Sequence, residues 1–214
     1  NHMAEQAKTA KSVEAAQRIS NETAKTISCP EHVLFPGGIL GQLIDCIERN
    51  SAHSHRFFSL GSAITFFSGV ALMNVCTETG INPNLFTIIA GRSGIGKDST
   101  LRVLPKVFRS HLDEPDARLP LLVGATSVAS GQGVLDYMQS NPKFILTLDE
   151  FGEFIKEAKN PGSPRGSFMA LLLEMFQMPG EPYKRLYRDN AKNGIYIPWQ
   201  AFSFIGASTI TGLW

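Results

Sequence analysis

The sequence predicts an α/β fold in which helices cover a mainly parallel central sheet. Short apolar segments of strand length alternate with longer helical segments, as in parallel sheets with covered faces. The first of these strands, LFTIIA (85–90), is followed by a glycine-rich turn and a helix. The 214 residues are 43% hydrophobic with a formal net charge of +1, which suits one globular domain and shows no overall basic excess for nucleic acid.

The N-terminal part is predicted to be a linker followed by helices. Residues 1–30 begin with what resembles an expression remnant and continue with few large apolar side chains, so they are assigned to tag and linker. Residues 38–50 place apolar side chains at helical spacing, and 57–76 form a long apolar helix. Together they predict a helical extension over 31–82. Polar residues and glycines interrupt 57–76, which favours a buried helix and not a membrane span. The protein is therefore expected to be soluble and cytoplasmic.

The α/β core is predicted over residues 83–214, truncated at its C-terminal end because the chain stops directly after an apolar segment. The apolar, β-branched segment 85–90 suits a central strand buried on both faces. The other strand candidates are 119–123, 143–148 and 201–207. The connecting helices are predicted at 97–111 (kinked at Pro105), 130–140, 150–158 and 167–178, with a Pro/Gly-rich loop at 159–166.

Cysteine and histidine positions do not predict a metal site. The three cysteines are widely spaced and odd in number, which is typical of free thiols in a reducing cytoplasm. His53 and His55 would lie on different faces of a helix, so they are interpreted as surface residues.

The segment 91–97, GRSGIGK, has the GxxxxGK spacing of a phosphate-binding loop, directly after a strand and directly before a helix. Glycines let backbone N–H groups turn inward around phosphate oxygens, and the helix presents its positive end to them. Lys97 adds a full charge at the β- and γ-phosphates. The predicted nucleotide site comprises Gly91, Arg92, Ser93, Gly94, Ile95, Gly96, Lys97, Asp98, Ser99 and Thr100.

Asp98 departs from this pattern, because a hydroxyl residue normally follows the lysine as a Mg²⁺ ligand. Either Asp98 meets the metal, directly or through water, or Ser99 takes the role. Carboxylate oxygen is a good Mg²⁺ ligand, so the site is expected to work with altered coordination.

The strand at 143–148 ends in Asp149-Glu150. Paired with a phosphate loop, the first acid is expected to hold Mg²⁺ and the second to align the attacking water, which favours hydrolysis over transfer to an acceptor. The strand at 201–207 leads into Ser208-Thr209, which either sense the γ-phosphate or cap a helix. The candidate metal ligands are therefore Asp98, Ser99 and Asp149.

With these signals in order, residues 31–214 resemble the ATPase domain of phage- and plasmid-type primase–helicases, a RecA-like/AAA+ group of P-loop NTPases related to superfamily 3 replicative helicases. The resemblance rests on the apolar helix before the loop strand, GKDS, SGQGVLDYM, DEFGEFIKEA and FSFIGAST. It implies a three-layer P-loop fold with a helical N-terminal extension. It also implies ATP and Mg²⁺ as cofactors, and a ring of identical subunits, usually a hexamer, that moves on single-stranded DNA.

Carried over to this chain, the resemblance implies that Lys97 binds phosphates, Asp149 serves the metal, Glu150 aligns water, and Ser208 or Thr209 acts as the sensor. An arginine finger supplied across the ring has three open candidates, which are Arg165, Arg185 and Arg188.

A DNA-facing element is predicted over residues 183–198, where two short apolar and aromatic runs flank the turn-rich DNAKNG. A basic β-hairpin with aromatic side chains suits single-strand binding without sequence preference. The alternative is a solvated hairpin or a contact between subunits. The candidate DNA-binding residues are Lys184, Arg185, Arg188 and Lys192.

The function predicted from these features is an ATP-hydrolysing motor domain of a replication helicase or primase–helicase from a mobile element or its host. Two alternatives stay open. One is a small-molecule kinase for nucleotides or sugar phosphates, since its phosphate loops look similar. The other is an ATP-gated interaction module with little turnover, which the Asp149-Glu150 pair disfavours.

Overall fold

The computed structural model describes residues 29–53, 55–109, 127–160, 162–177, 182–185, 194–197 and 200–213. The chain divides into two compact units, residues 1–36 and 37–214. The described part of the first unit holds one short helix, α1 (Glu31–Leu34). All further elements belong to the second unit.

The second unit has a mixed α/β composition. In chain order its described elements are α2 (Gly38–Asn50), α3 (Arg56–Asn74), β1 (Phe86–Ala90), α4 (Lys97–Arg109), α5 (Gly131–Ser140), β2 (Lys143–Leu148), α6 (Phe151–Ala158), α7 (Pro164–Gln177), β3 (Tyr183–Arg185), β4 (Ile195–Ile197), β5 (Ala201–Ser208) and a 3₁₀ helix (Ile210–Gly212). These bounds confirm the helices predicted at 38–50, 57–76, 130–140 and 150–158, and the strands at 85–90, 143–148 and 201–207, to within two residues.

One helix boundary was wrong. Helix α7 begins at Pro164, three residues before its predicted start at 167, so the predicted loop 159–166 is shorter than expected. Proline suits the first helical turn, where its missing N–H would have no partner inside the helix. The candidate strand 119–123 and the last two residues of the predicted helix 97–111 lie outside the described residues.

The strands β1, β5 and β2 form a parallel sheet in that order. All eight residues of β5 are buried between its two neighbours. The central described strand is therefore β5, and the expected burial of 85–90 on both faces was wrong, because Ile89 is the one buried residue of β1. Among the described strands, β1 pairs only with β5, and the Ile88 side chain is 49% exposed. Because parallel strands share one direction, the turns after β1, β2 and β5 meet at one edge of the sheet.

One face of the sheet is covered by α3, with α2 and α4 packed around it. Hydroxyl groups join this helix to the strands: the Thr65 hydroxyl donates to Thr87 Oγ1 at 2.7 Å, and the Ser68 and Ser203 hydroxyls lie 2.5 Å apart. The serines that interrupt the apolar segment 57–76 thus include one that bonds to the sheet. No helix in the described part of the chain has the length and apolar character needed to cross a membrane.

The opposite face carries an aromatic core beneath α5, α6 and α7. The Phe144 and Phe202 rings on neighbouring strands stack with centroids 5.2 Å apart, and the Phe151 ring of α6 lies 4.9 Å from that of Phe204. Helices therefore cover both faces. The helices α2 and α3, assigned from sequence to an N-terminal extension, form a layer of the same unit as the sheet.

The predicted hairpin is present as an antiparallel pair, in which Tyr183 lies opposite Ile197 and Lys184 opposite Tyr196. Tyr183, Ile195 and Ile197 are buried in the aromatic core, whereas Lys184 and Tyr196 are exposed. The strands therefore anchor one face of the hairpin and leave the other in solvent. The residues between them, 186–193, lie outside the described residues.

Candidate nucleotide site

The glycine loop that connects β1 to α4 has the backbone geometry of an anion cradle. Gly94 and Gly96 have φ values of +77° and +93°, a left-handed conformation that glycine adopts without a side-chain clash. The Gly91 N–H donates to the Ser208 carbonyl at 3.1 Å, which ties the start of the loop to the neighbouring strand. The helix that follows directs its free N–H groups toward the same space.

The loop packs tightly against the turn between α2 and α3. A Cβ atom at Gly96 would collide with the backbone carbonyl of His53, and one at Gly91 would lie 2.9 Å from the Phe58 ring. No residue pattern in the sequence predicts this contact, because a backbone carbonyl makes it. The His53 side chain is exposed, as expected of a surface histidine. His55 instead stacks on Phe58, with ring centroids 4.6 Å apart.

Lys97, the first residue of α4, is only 7% exposed. Among the described residues, its ammonium group has one hydrogen bond, to the Arg92 carbonyl at 3.5 Å, and no ion pair. A buried ammonium with a single long hydrogen bond is poorly compensated for the water that it has lost. An anion in the loop would supply the missing charge.

The other residues of the predicted nucleotide site divide into exposed and structural groups. Arg92 and Ser93 are exposed at the loop tip, whereas Ile95 packs against the core around α3. The Thr100 hydroxyl is fully buried and donates to the Gly96 carbonyl at 3.2 Å, so it stabilises the loop.

Asp98 and Ser99, the two alternatives for the metal ligand, face different neighbours. The Ser99 hydroxyl lies 2.7 Å from the Gly96 carbonyl and 3.0 Å from that of His53. The Asp98 carboxyl lies within hydrogen-bonding reach of the Asp149 carboxyl, and its Oδ1 atom is buried without a hydrogen-bond partner. Of the two, only Asp98 is directed toward the acid at the end of β2.

The pKa of Asp149 is raised above its usual range. Partial burial is the main cause, and the negative charge of Asp98 and a hydrogen bond with its carboxyl add to it. The charge of Glu150 also raises this pKa, while the Glu150 N–H, donating to Asp149 Oδ1 at 2.9 Å, lowers it. Two carboxyl groups so close together are stabilised by a shared proton or by a cation.

Glu150 has φ +53° and ψ +38°, and it is the only non-glycine residue with positive φ in the described parts of the chain. It stands at the N-cap of α6, but its side chain makes no capping hydrogen bond. The following Gly152 packs against the end of β5 and the 3₁₀ helix, where an added Cβ would collide with the Ser208 hydroxyl and lie 2.5 Å from the Gly212 carbonyl. The acidic turn is thus held in a strained conformation by its neighbours.

Ser208 and Thr209 lie at the end of β5, between the glycine loop that follows β1 and the acidic turn that follows β2. The Thr209 hydroxyl accepts from the Gly212 N–H at 3.0 Å and caps the 3₁₀ helix, as one of the two sequence interpretations expected. Ser208 is 2% exposed, and its hydroxyl donates to the Thr209 carbonyl at 3.0 Å. The sequence-predicted residues around the loop and acidic turn therefore come together at one edge.

The remaining sequence-predicted residues lie elsewhere. Lys184 and Arg185 are on β3, whereas Arg188 and Lys192 lie outside the described residues. Of the three arginine-finger candidates, Arg165 pairs with Glu157 at 2.6 Å and lies over the Phe154 ring, 5.2 Å from its centroid. These contacts hold its guanidinium against α6.

A cavity and the number of possible metal ligands also bear on the site. A cavity of about 160 Å³ lies under α5, lined by Val128, Tyr137 and Phe144 among others, and contains none of the loop or acidic residues. The described residues hold no group of three or more His, Cys, Asp or Glu side chains that could bind a metal on their own. A Mg²⁺ ion here would need ligands from phosphate and water besides Asp98 and Asp149, as is usual for this ion.

A comparison with protein-family models finds no match for this chain, and a search of the curated proteins finds none either.

Proposed function

We propose that this chain binds and hydrolyses ATP with Mg²⁺ at the edge formed by the glycine loop and the acidic turn. The observation that carries the proposal is a pair of opposite, unsatisfied charges at the start of α4, next to the acidic turn. Lys97 is a buried cation with one long hydrogen bond, and Asp98 presents a buried oxygen without a partner. A phosphate chain with its metal is the ligand that satisfies both.

Each residue then has a role that follows from its place. The N–H groups of the loop and the Lys97 ammonium bind and orient the phosphates, and Asp98 and Asp149 would hold Mg²⁺. When bound, this ion neutralises the phosphate charge and polarises the γ-phosphoryl group. Glu150 lies one residue beyond Asp149, so we assign it the alignment of the attacking water. Ser208 lies between the two turns and is assigned the sensing of the γ-phosphate.

We further propose that the hydrolysis drives movement on single-stranded DNA in a ring of identical subunits, as part of a replication helicase or primase–helicase. The hairpin supports a DNA contact because its exposed face pairs Lys184 with Tyr196, the ammonium lying 5.4 Å from the ring centroid. A cation beside an exposed aromatic ring can contact a phosphate while a base stacks on the ring. Its opposite face is anchored in the core, so force on the hairpin would reach α5 and β5.

The test is ATP hydrolysis by the wild-type chain and Lys97→Ala, with and without single-stranded DNA, at several protein concentrations. We expect turnover to need Lys97, to rise with DNA and to rise more steeply than protein concentration. Lys106→Ala is the matched control, because Lys106 is an exposed lysine of the same helix. Turnover that persists in Lys97→Ala would overturn the proposal.

Two other outcomes would favour the alternatives. Turnover that appears only with a small phosphate acceptor would indicate a kinase, and ATP binding without turnover would indicate a nucleotide-gated module. For the DNA contact, Tyr196→Ala is expected to weaken single-strand binding by about 1–3 kcal/mol, measured by fluorescence anisotropy. Lys156→Ala removes an exposed lysine of α6 that pairs with Glu153, and it should leave DNA binding unchanged.

A further inference from the structure

The glycine loop contains residues that do not fix their own backbone conformation. Glycine adopts left-handed and right-handed conformations about equally readily, and fixing it costs more conformational entropy than fixing any other residue. Gly94 has a φ of +77° and open space where a side chain would lie. The loop shape that binds phosphate is therefore imposed by its neighbours, and those neighbours contribute to nucleotide affinity by ordering the loop in advance.

The start of α3 and the turn before it supply this order. The His53 carbonyl lies directly against Gly96 and 3.0 Å from the Ser99 hydroxyl, in the first turn of α4. The Phe58 ring of α3 packs against Gly91, at the other end of the loop. A region remote in sequence thus contacts the loop where it begins and where it ends.

Arg56 joins the two helices on either side of this turn. It is the first residue of α3, and its Nη1 atom lies 2.6 Å from Asp45 Oδ1 and 2.7 Å from Glu48 Oε2 of α2. The Arg56 side chain is only 17% exposed, so solvent screens these ion pairs less than pairs on an open surface. Separating α2 from α3 would withdraw the His53 carbonyl from the glycine loop.

We propose that Arg56 is a positioning residue for the glycine loop. Its ion pairs with α2 hold the His53 carbonyl in place, and this carbonyl in turn holds Gly96 and the Ser99 hydroxyl. The inference rests on the proposed function only for the identity of the ligand. Without the ion pairs the loop adopts other conformations, and if about one tenth of the molecules keep the binding shape, the apparent affinity falls about tenfold. Once nucleotide is bound the loop has its wild-type shape, so kcat is preserved.

The test compares Arg56→Gln and Arg56→Lys with the wild-type chain in ATP-analogue binding and in turnover. We expect Arg56→Gln to raise the Kd and KM about tenfold and to leave kcat within about twofold of wild type. Arg56→Lys should restore most of the affinity, because a single nitrogen atom makes both ion pairs and an ammonium group has three donors. Arg49→Gln is the matched control: Arg49 is an exposed arginine of α2 whose Nε donates to the Asp45 carbonyl of its own helix at 3.2 Å.

Two further variants test the path from Arg56 to the loop. Asp45→Asn removes one ion pair at an exposed position, and it should weaken nucleotide binding about threefold even if Arg56→Gln does not fold. Ser99→Ala removes the hydroxyl beside the His53 carbonyl. Combined with Asp45→Asn or Arg56→Gln, it should add little further loss, because both changes break the same chain of contacts. Fully additive losses would overturn the inference, since Ser99 would then act independently of Arg56.

Hydrogen exchange without nucleotide separates this inference from the proposed function. We expect amide exchange in residues 91–100 to be faster in Arg56→Gln than in wild type, and exchange in 143–158 to be unchanged. Faster exchange in both segments would mean that Arg56 affects stability alone, and would overturn the inference. So would equal nucleotide affinity in wild type and Arg56→Gln, with the function left standing. Faster exchange confined to the loop, in a chain whose wild type binds no ATP, would overturn the function instead.

Discussion

The glycine loop and the acidic turn lie at the same edge of the sheet, and both contain left-handed backbone. In the loop, Gly94 and Gly96 adopt it, and glycine pays no steric penalty there. In the acidic turn, Glu150 adopts it, and a residue with a side chain is strained in this conformation by about 1–2 kcal/mol. The glycine loop therefore adopts its left-handed backbone without strain, whereas the acidic turn is kept in a strained backbone conformation by the residues packed around it.

The difference shows what each turn contributes. The loop presents backbone N–H groups, so any residue that permits the conformation would serve, and glycine permits it best. The acidic turn presents a side chain, so glycine cannot replace Glu150 without losing the carboxylate. Strain at such a position is typical of functional sites, where geometry is kept at a cost to stability. The predictions that follow compare the two turns, beginning with the largest expected effect.

Gly96→Ala should disrupt the loop far more than Gly94→Ala, although both glycines have positive φ. A methyl group at Gly96 collides with the His53 carbonyl, whereas open space surrounds Gly94. We expect Gly96→Ala to lower the free energy of unfolding by about 3 kcal/mol or more and Gly94→Ala by about 1 kcal/mol. Urea denaturation measures both, and equal losses would show that the contact with His53 is not rigid.

Gly152→Ala is expected to lower the free energy of unfolding by about 2–3 kcal/mol, because its methyl group would press the acidic turn away from the Gly212 carbonyl. Gly133→Ala is the matched control: Gly133 is in a helix, and a Cβ there meets only the Ser130 hydroxyl at 3.6 Å. Alanine at that position should be neutral or stabilising. A harmless Gly152→Ala in thermal unfolding would contradict the tight packing of this turn.

Glu150→Gly should stabilise the fold by about 0.5–1 kcal/mol while abolishing hydrolysis. Glycine removes the left-handed strain, and no capping hydrogen bond is lost, because the Glu150 side chain makes none. Glu150→Gln is the control: it keeps the strain and removes only the charge, so it should lose hydrolysis without the gain in stability. If both variants have wild-type melting temperatures, the left-handed conformation costs nothing.

The sequence predicted most of the elements at this edge, because each depends on a local pattern. The strand, glycine turn and helix around Lys97 follow from residue types within a dozen positions, and the strand ending in Asp149 follows from its apolar run. The antiparallel pairing of residues 183–185 with 195–197 also followed from a local pattern, two short apolar and aromatic runs on either side of a turn-rich segment. Such patterns determine the elements but not their neighbours in space.

The features that the sequence did not predict all involve residues far apart in the chain. The order of the strands, with β5 between β1 and β2, depends on the packing of both faces. The contact of Gly96 with His53 is made by a backbone carbonyl, which no side-chain pattern marks. The choice between Asp98 and Ser99 was left open, because it depends on which of them faces Asp149 across the edge.

The smallest effect we predict is a pH dependence of stability, measured without metal, that arises from Asp149 in the acidic turn and has no counterpart in the glycine loop. Because the pKa of Asp149 is raised in the folded state, the folded chain binds more protons than the unfolded chain above the usual pKa of 3.8. The stability contributed by this group is fully present below that pH and is lost as the pH rises through the raised value. Asp149 is exposed to solvent, which screens its charge, so we expect the loss to stay below about 1 kcal/mol.

Asp98→Asn isolates this contribution from those of the other carboxylates. It removes the neighbouring charge, and the pKa of Asp149 should fall, although the effect of burial remains. With a metal chelator present, the difference in melting temperature between Asp98→Asn and wild type should therefore widen in favour of the variant as the pH rises from 3.5 to 7. Parallel pH profiles would mean that the two carboxyl groups do not interact. Saturating Mg²⁺ should reverse this difference in melting temperature, because only the wild-type chain keeps both carboxylates for the cation. Gly94→Ala in the glycine loop is the control, and its melting temperature relative to wild type should change neither with pH nor with Mg²⁺.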